Sequence, residues 1–260
     1  MNKNKTRAKL AAGGAVTGMA LQMIRSAEIP RILAAAGFDY IFIDTEHGGF
    51  NPESVQDIAT AAREAGITPL VRVTELKYSL VARSLDLGAQ GIIFPRVEDA
   101  DLLREAIAWT RFPPLGSRGF GLGAPQIGYE KLSMPEIIAH ANEENLNIVQ
   151  FETVKALEMS AQLLSIPGID IAMIGPADLS ISMGIPGEFD HPDLVRAIEG
   201  LMAECHRHGV VPGIHCPGVA MARQWLDRGM RLVGCGGEIN LLLDRASELQ
   251  TRLRQTSREE

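Results

Sequence analysis

Short apolar runs recur along the chain, and the stretches between them carry apolar residues at helical spacing. The runs at 15–21, 40–44, 69–73, 91–95, 148–152, 169–175, 210–215 and 231–235 read as strands. Val55, Ile58, Ala59 and Ala62 share one helix face, as do Leu194, Ile198, Leu201 and Cys205. Gly37, Gly66, Gly88 and Gly209 stand just before the next strand, where helix C-termini commonly close. Alternation of this kind implies parallel strands, because a parallel connection needs a crossover. Eight such units in 260 residues predict a single-domain α/β fold, a closed (β/α)₈ TIM barrel. An open doubly wound sheet commonly carries a glycine-rich nucleotide turn after its first strand. Here that turn reads Gln22-Met23-Ile24-Arg25, without glycine, and no organic cofactor is expected.

Three segments break the even spacing. Residues 1–14 carry Lys3, Lys5, Arg7 and Lys9 and read as a basic tail ahead of a barrel domain at 15–260. The connector between Trp109 and Asn147 is long and irregular, with Pro113-Pro114 and four glycines from Gly116 to Gly123. Long irregular loops are commonly functional. Near the C-terminus, Ile239, Leu242, Leu243, Ala246, Leu249 and Leu253 form one apolar stripe, which either closes the barrel or packs on another subunit.

Composition narrows the function classes. Hydrophobic residues make up 46% and charged residues 22%, ordinary for a soluble globular protein. A net charge of −7 argues against a nucleic-acid partner. The absence of an apolar run of about 18 residues argues against a membrane span. Glycines dilute the apolar stretch after the basic start, so a first strand is favoured there over a secretory signal. Cys205, Cys216 and Cys235 are odd in number and lack a pairing pattern, which points to reduced thiols and a cytoplasmic setting.

The chemistry of a barrel gathers at the carboxyl ends of its strands. Those ends offer Asp44, Glu46 and His47 after the second strand, Arg72 on the third, Arg96 after the fourth, Gln150 and Glu152 on the fifth, and Asp178 after the sixth. Gln150 and Glu152 alternate onto one face and can meet one ligand. With Asp178 they make an oxygen-rich donor set that suits Mg²⁺ or Mn²⁺ rather than zinc. The alternative is that Glu152 caps a helix and Asp178 merely starts the next. His47 beside Asp44 looks like a carboxylate-oriented acid–base group. Arg72 either pairs with Asp44 or Glu75 or meets an oxygen where negative charge develops. Arg96 is expected to pair with Glu98 or Asp99 away from the centre, and His215 to pack. A 2-oxo acid would chelate a cation held this way, with the metal stabilising an enolate. None of the six lysines falls in a strand, which argues against imine chemistry.

The phrases Phe38-Asp39-Tyr40-Ile41-Phe42-Ile43-Asp44-Thr45-Glu46-His47-Gly48, Pro69-Leu70-Val71-Arg72 and Gly88-Ala89-Gln90-Gly91-Ile92-Ile93-Phe94-Pro95 go further. With Pro113-Pro114-Leu115-Gly116-Ser117-Arg118-Gly119, Gln150-Phe151-Glu152-Thr153 and Ile174-Gly175-Pro176-Ala177-Asp178-Leu179-Ser180, the chain resembles the HpcH/HpaI family of metal-dependent, class II pyruvate aldolases. That resemblance spans essentially residues 15–250. It implies Glu152 and Asp178 as metal ligands with Gln150 nearby, and a divalent cation, Mg²⁺ or Mn²⁺ with Co²⁺ as a further choice. It implies His47 with Asp44 as the acid–base pair and Arg72 on the pyruvate oxygen. The backbone at Gly175, Pro176 and Ala177 would hold the pyruvate carboxylate. The resemblance also implies a hexamer, built as dimers that exchange the C-terminal helix.

The expected reaction is reversible cleavage of a 4-hydroxy-2-oxo acid to pyruvate and an aldehyde. Decarboxylation of an oxaloacetate-type diacid on the same enolate site is the alternative. The uncharged stretch after Arg118 disfavours a semialdehyde with a distal carboxylate, so a polyol aldehyde is the expected partner.

Overall fold

The apolar runs become strands covered on both faces. In the computed structural model, which describes residues 1–256, helix α1 (Lys5–Ala11) precedes β1 (Val16–Leu21), α2 (Glu28–Ala35), β2 (Tyr40–Asp44), α3 (Pro52–Ala65) and β3 (Thr68–Arg72). The chain continues through α4 (Tyr78–Asp86), β4 (Gly91–Phe94), α5 (Ala100–Ala108), α6 (Met134–Glu144) and β5 (Leu146–Phe151). Two short helices, α7 (Val154–Glu158) and α8 (Ser160–Leu164), lead to β6 (Ile171–Ile174), α9 (Pro176–Ser182) and α10 (Pro192–His208). It ends with β7 (Val211–Cys216), α11 (Val219–Asp227), β8 (Leu232–Gly237) and α12 (Glu238–Thr256). The strands pair in parallel in chain order, and β8 closes onto β1. Residues 257–260 of the expected barrel domain lie outside the described residues.

Every residue of β2 through β6 is buried, as parallel strands sandwiched between helices and a filled interior require. Val16, Tyr40, Leu70, Ile148, Ile171 and Leu232 gather inside the barrel, while a larger cluster joins the outer strand faces to the helices. Gly18 admits the Tyr40 ring, since a Cβ there would approach its carbons to 2.4 Å. Helix boundaries follow local chemistry. Asn51 caps α3 by accepting from the Ser54 N–H at 2.8 Å, Pro52 starts it, and Gly66 ends it at φ 75°.

The segment expected as a basic tail is folded. Asn4 is fully buried, accepts from the Arg7 N–H at 3.0 Å and donates to the Gln90 and Glu144 carbonyls. Thr6 donates to the Asp39 carbonyl, and Arg7 pairs with Asp170 at 2.7 Å. Leu10 joins the interior cluster, so α1 stoppers the amino end of the barrel. A short cationic helix whose polar residues bond distant backbone leaves no periodic signature long enough to read from sequence.

The long connector also settles at that amino end. Its Arg118 side chain is buried between Asp86, 2.7 Å away, and the face of Phe112, while Gln126 donates to the Asp86 carbonyl. Asp86 ends α4, far from the carboxyl rim in the same subunit. The lack of charge after Arg118 is therefore no guide to this subunit's own aldehyde pocket. Helix α12 meets the barrel chiefly at β8 and β1 and leaves Leu242 at 60%, Leu243 at 61% and Leu249 at 47% exposure. It does not close the barrel.

Candidate active site at the carboxyl rim

The third strand delivers Arg72 to the rim, nearly buried, and the second strand delivers Asp44 beneath it, fully buried. Their adjacent registers bring Arg72 Nε to 2.9 Å from Asp44 Oδ1 and Nη2 to 2.7 Å from Oδ2, a bidentate pair. Burial opposes the Asp44 charge, but the Arg72 bonds and charge outweigh it, with the His47 N–H and Gln22 assisting, and its pKa falls below the usual carboxylate range. Arg72 likewise stays cationic: burial pulls its pKa down, and Asp44, then Glu46 and Glu152, push it up.

The expected carboxylate–histidine pairing takes a different form. Asp44 Oδ1 accepts from the His47 backbone N–H at 3.2 Å, whereas the imidazole is exposed, with its Nε2 3.9 Å from Glu46 Oε2. Asp44 is already filled by Arg72, by Gln22 at 3.3 Å and by two backbone N–H groups, so it has no lone pair aimed at the ring. Glu46, which its sequence position does not single out, is the hub of these contacts. Its side chain is 8% exposed and lies 3.2 Å from Arg72 Nη1 and 3.4 Å from Arg96 Nε, with Oε2 lacking a hydrogen bond.

Arg96 therefore joins the centre instead of pairing with Glu98 or Asp99. It occupies the left-handed region at φ 50°, which aims its backbone N–H at Glu152 Oε1, 2.7 Å away. Glu152 is 2% exposed, and its other oxygen accepts from the Gln150 amide. Burial first, then the nearby Glu46 and Asp178 charges, hold its pKa above the ordinary range against the Arg96 and Gln150 bonds. Thr153, not Glu152, caps the following helix.

A cavity of about 130 Å³ opens here, lined by Arg72, Gln150, Gly175, Pro176, Ala177 and Asp178. Ala20, Gln22, Phe42, Met173 and His215 complete its walls. Gly175 is needed for close approach, since a Cβ would meet Gln150 Nε2 at 3.0 Å and Glu152 Oε2 at 3.2 Å. Its N–H is spent on the Phe151 carbonyl at 3.1 Å and Pro176 has none, so Ala177 and Asp178 carry the free amides of the first turn of α9. His215 is held neutral. Burial, then the Arg72 charge, lower its pKa to about 4 against weaker upward pulls from the Gly236 backbone and Asp44.

Among the described residues no group of three or more His, Cys, Asp or Glu is gathered around one point for a metal. The donor set here is smaller and mixed: two carboxylates, Glu152 and Asp178, and Gln150, whose buried Oε1 has no partner. Crowded acids beside an orphaned amide oxygen fit a hard divalent cation.

A family model described as HpcH/HpaI aldolase/citrate lyase matches residues 23–244. The chain belongs to the HpcH/HpaI aldolase/citrate lyase family. As a member it is a carbon–carbon lyase. A 4-hydroxy-2-oxo-heptane-1,7-dioate aldolase of Salmonella dublin is 35% identical to it, over 96% of this chain and 94% of that protein. The crystal structure of an HpcH/HpaI aldolase from Desulfitobacterium hafniense DCB-2 superposes with a TM-score of 0.90 at 31% identity, covering 95% of this chain and 96% of that one. The citrate synthase SbnG superposes at 0.86 with 25% identity, covering 96% and 98%.

Proposed function

We propose that the chain is a divalent-metal-dependent aldolase that reversibly cleaves a 4-hydroxy-2-oxo acid to pyruvate and an aldehyde. The observation that carries this reading is the rim cavity where Arg72, Gln150 and Asp178 converge beside the crowded carboxylate of Glu152. Glu152 and Asp178 would hold Mg²⁺, Mn²⁺ or Co²⁺ with Gln150 beside them, and the bound cation supplies a Lewis acid to a chelating 2-oxo acid.

The remaining roles fall to the chain itself. Arg72, fixed by its Asp44 fork, directs a guanidinium edge at the ketone oxygen and stabilises negative charge as the C3–C4 bond breaks. Because Asp44 and Glu46 already set its orientation, little reorganisation accompanies that step. Backbone amides of Ala177 and Asp178 at the start of α9 receive the substrate carboxylate. His47, standing at the mouth, takes the proton from the 4-hydroxyl oxygen in cleavage and returns it in condensation. Asp44 contributes through the backbone of His47 and through Arg72. Phe42, Met173 and Ala20 keep the enolate carbon away from bulk water.

The substrate in the Salmonella dublin relative's name, a seven-carbon dioic acid, favours a hydroxy-oxo acid of this general type. The exposed leucines of α12 support assembly into a homo-oligomer, the hexamer of the family resemblance, and the reduced-thiol composition supports a cytoplasmic setting. Among the described residues no helix is long and apolar enough to cross a membrane.

Oxaloacetate-type decarboxylation would need the same enolate site but no group at the aldehyde oxygen. His47→Ala separates the two. We expect it to lower retro-aldol turnover by about a hundredfold or more while sparing oxaloacetate decarboxylation. Equal loss of both activities, or of neither, contradicts the assigned role.

A further inference from the structure

Glu238, the first residue of α12, sits outside the cavity yet is 4% exposed. Its Oε1 accepts from three consecutive backbone N–H groups, Gln22 at 2.9 Å, Met23 at 2.7 Å and Ile24 at 3.0 Å. Three converging amides on one anionic oxygen form a tight anchor, and they fix the turn that follows β1. That turn carries Gln22 into the cavity wall. The Gln22 carbonyl accepts from the Gly49 N–H at 2.8 Å, and its side-chain amide donates to Asp44 Oδ2 at 3.3 Å. The β2 loop packs so closely here that a Cβ on Gly48 would lie 2.9 Å from the Gln22 carbonyl. Gln22 is thus clamped between the first residue of α12 and the loop that bears His47.

We propose that Glu238 is a positioning residue, which acts through Gln22 to hold the Asp44–Arg72 fork in register with the substrate and ties catalysis to the seating of α12. This rests on the aldolase reading, which gives Arg72 its task at the ketone oxygen. The carboxylate never reaches the substrate. It sets the turn, the turn sets the amide, and the amide completes the bonding of the aspartate that aims Arg72. An orientation defect at Arg72 impairs the step in which charge develops more than it impairs binding of the ground state.

The readout is exchange of pyruvate methyl protons in D₂O with Mn²⁺, followed by NMR, which needs no knowledge of the aldehyde. Native enzyme must exchange; if it does not, the aldolase reading itself fails and the proposal falls with it. Given native exchange, Gln22→Ala and Glu238→Ala should each lower kcat for exchange about tenfold, the effect of one hydrogen bond, with KM for pyruvate within about threefold. The double variant should also stop near tenfold, because both changes cut one chain of contacts. Glu238→Gln keeps an acceptor oxygen and should recover most of the rate; if Glu238→Ala does not fold, Glu238→Asp, whose shorter side chain cannot reach all three amides, replaces it alone and with Gln22→Ala, with the same tenfold loss expected. Native kcat in Glu238→Ala, or losses that multiply in the double variant, would overturn the proposal.

Discussion

The two ends of this barrel treat charge in opposite ways. At the amino end three acids each meet a cation: Asp39 faces Lys9, Asp86 faces Arg118 and Asp170 faces Arg7, all within 2.8 Å. At the carboxyl rim Arg72 and Arg96 pair with Asp44 and Glu46, while Glu152 and Asp178 crowd each other beside them. Among the described residues, the two buried carboxylate oxygens that lack a hydrogen bond, Glu46 Oε2 and Glu238 Oε2, lie on that rim. The amino end is built to hold the fold closed. The rim carries an excess of negative charge that a divalent cation would relieve, and it tolerates a strained arginine backbone to do so.

That contrast predicts that rim and base variants separate activity from stability. The largest effect belongs to Arg72→Lys. It keeps a positive charge but loses the fork on Asp44, and turnover should drop about a hundredfold to a thousandfold with the fold intact by circular dichroism. Activity near native would detach Arg72 from the developing charge. At the other end, Asn4→Ala removes a buried cap with bonds to two distant carbonyls and should cost about 2 kcal/mol in urea unfolding. Its turnover should stay within about twofold of native. A comparable fall in kcat would mean that the two ends are not independent.

His215 sharpens the contrast by pH. Its folded pKa of about 4 lies below the unfolded value near 6.5, so the unfolded chain takes up the proton first. The stability that its neutral form supplies is complete above pH 6.5 and is lost as pH falls toward 4, by at most roughly 3 kcal/mol. His215→Leu should flatten the stability curve across that window. An unchanged slope would show that the ring titrates normally. The smallest effect is expected at Arg96→Gly, which relaxes φ 50° yet keeps the N–H on Glu152. Stability should change by less than about 1 kcal/mol, and loss of the guanidinium beside Glu46 should tighten Mn²⁺ binding by no more than about threefold.

Much of this plan was legible in the chain because parallel strands buried on both faces leave unbroken apolar runs, and the polar residues that end them must face the rim. Arg72, Gln150 and Asp178 were read from that logic alone and do line one cavity. What escaped depends on contacts remote in sequence or on backbone angles. Glu46 and Arg96 come from different strand ends and meet at 3.4 Å where Arg96 takes a positive φ, and nothing in an arginine announces that. The Arg72–Asp44 pair is one of the alternatives the strand ends offer, but that it fills Asp44 and leaves the His47 ring without that carboxylate is not visible in their sequence adjacency. Glu238 grips residues more than 200 positions earlier, beyond any local pattern. The position of the long connector followed from order along the chain. A segment between a helix and the next strand lies at the amino end, and its length obscured that simple reading.

The central claim is that Glu152 and Asp178 share one divalent ion. Titration of Mn²⁺ into the protein, followed by electron paramagnetic resonance of the free ion, tests it without reference to turnover. Native subunits should bind about one ion each, and Asp178→Asn and Glu152→Gln should each weaken binding by about tenfold or more. If either substitution leaves the Mn²⁺ isotherm unchanged, the two carboxylates do not form the site.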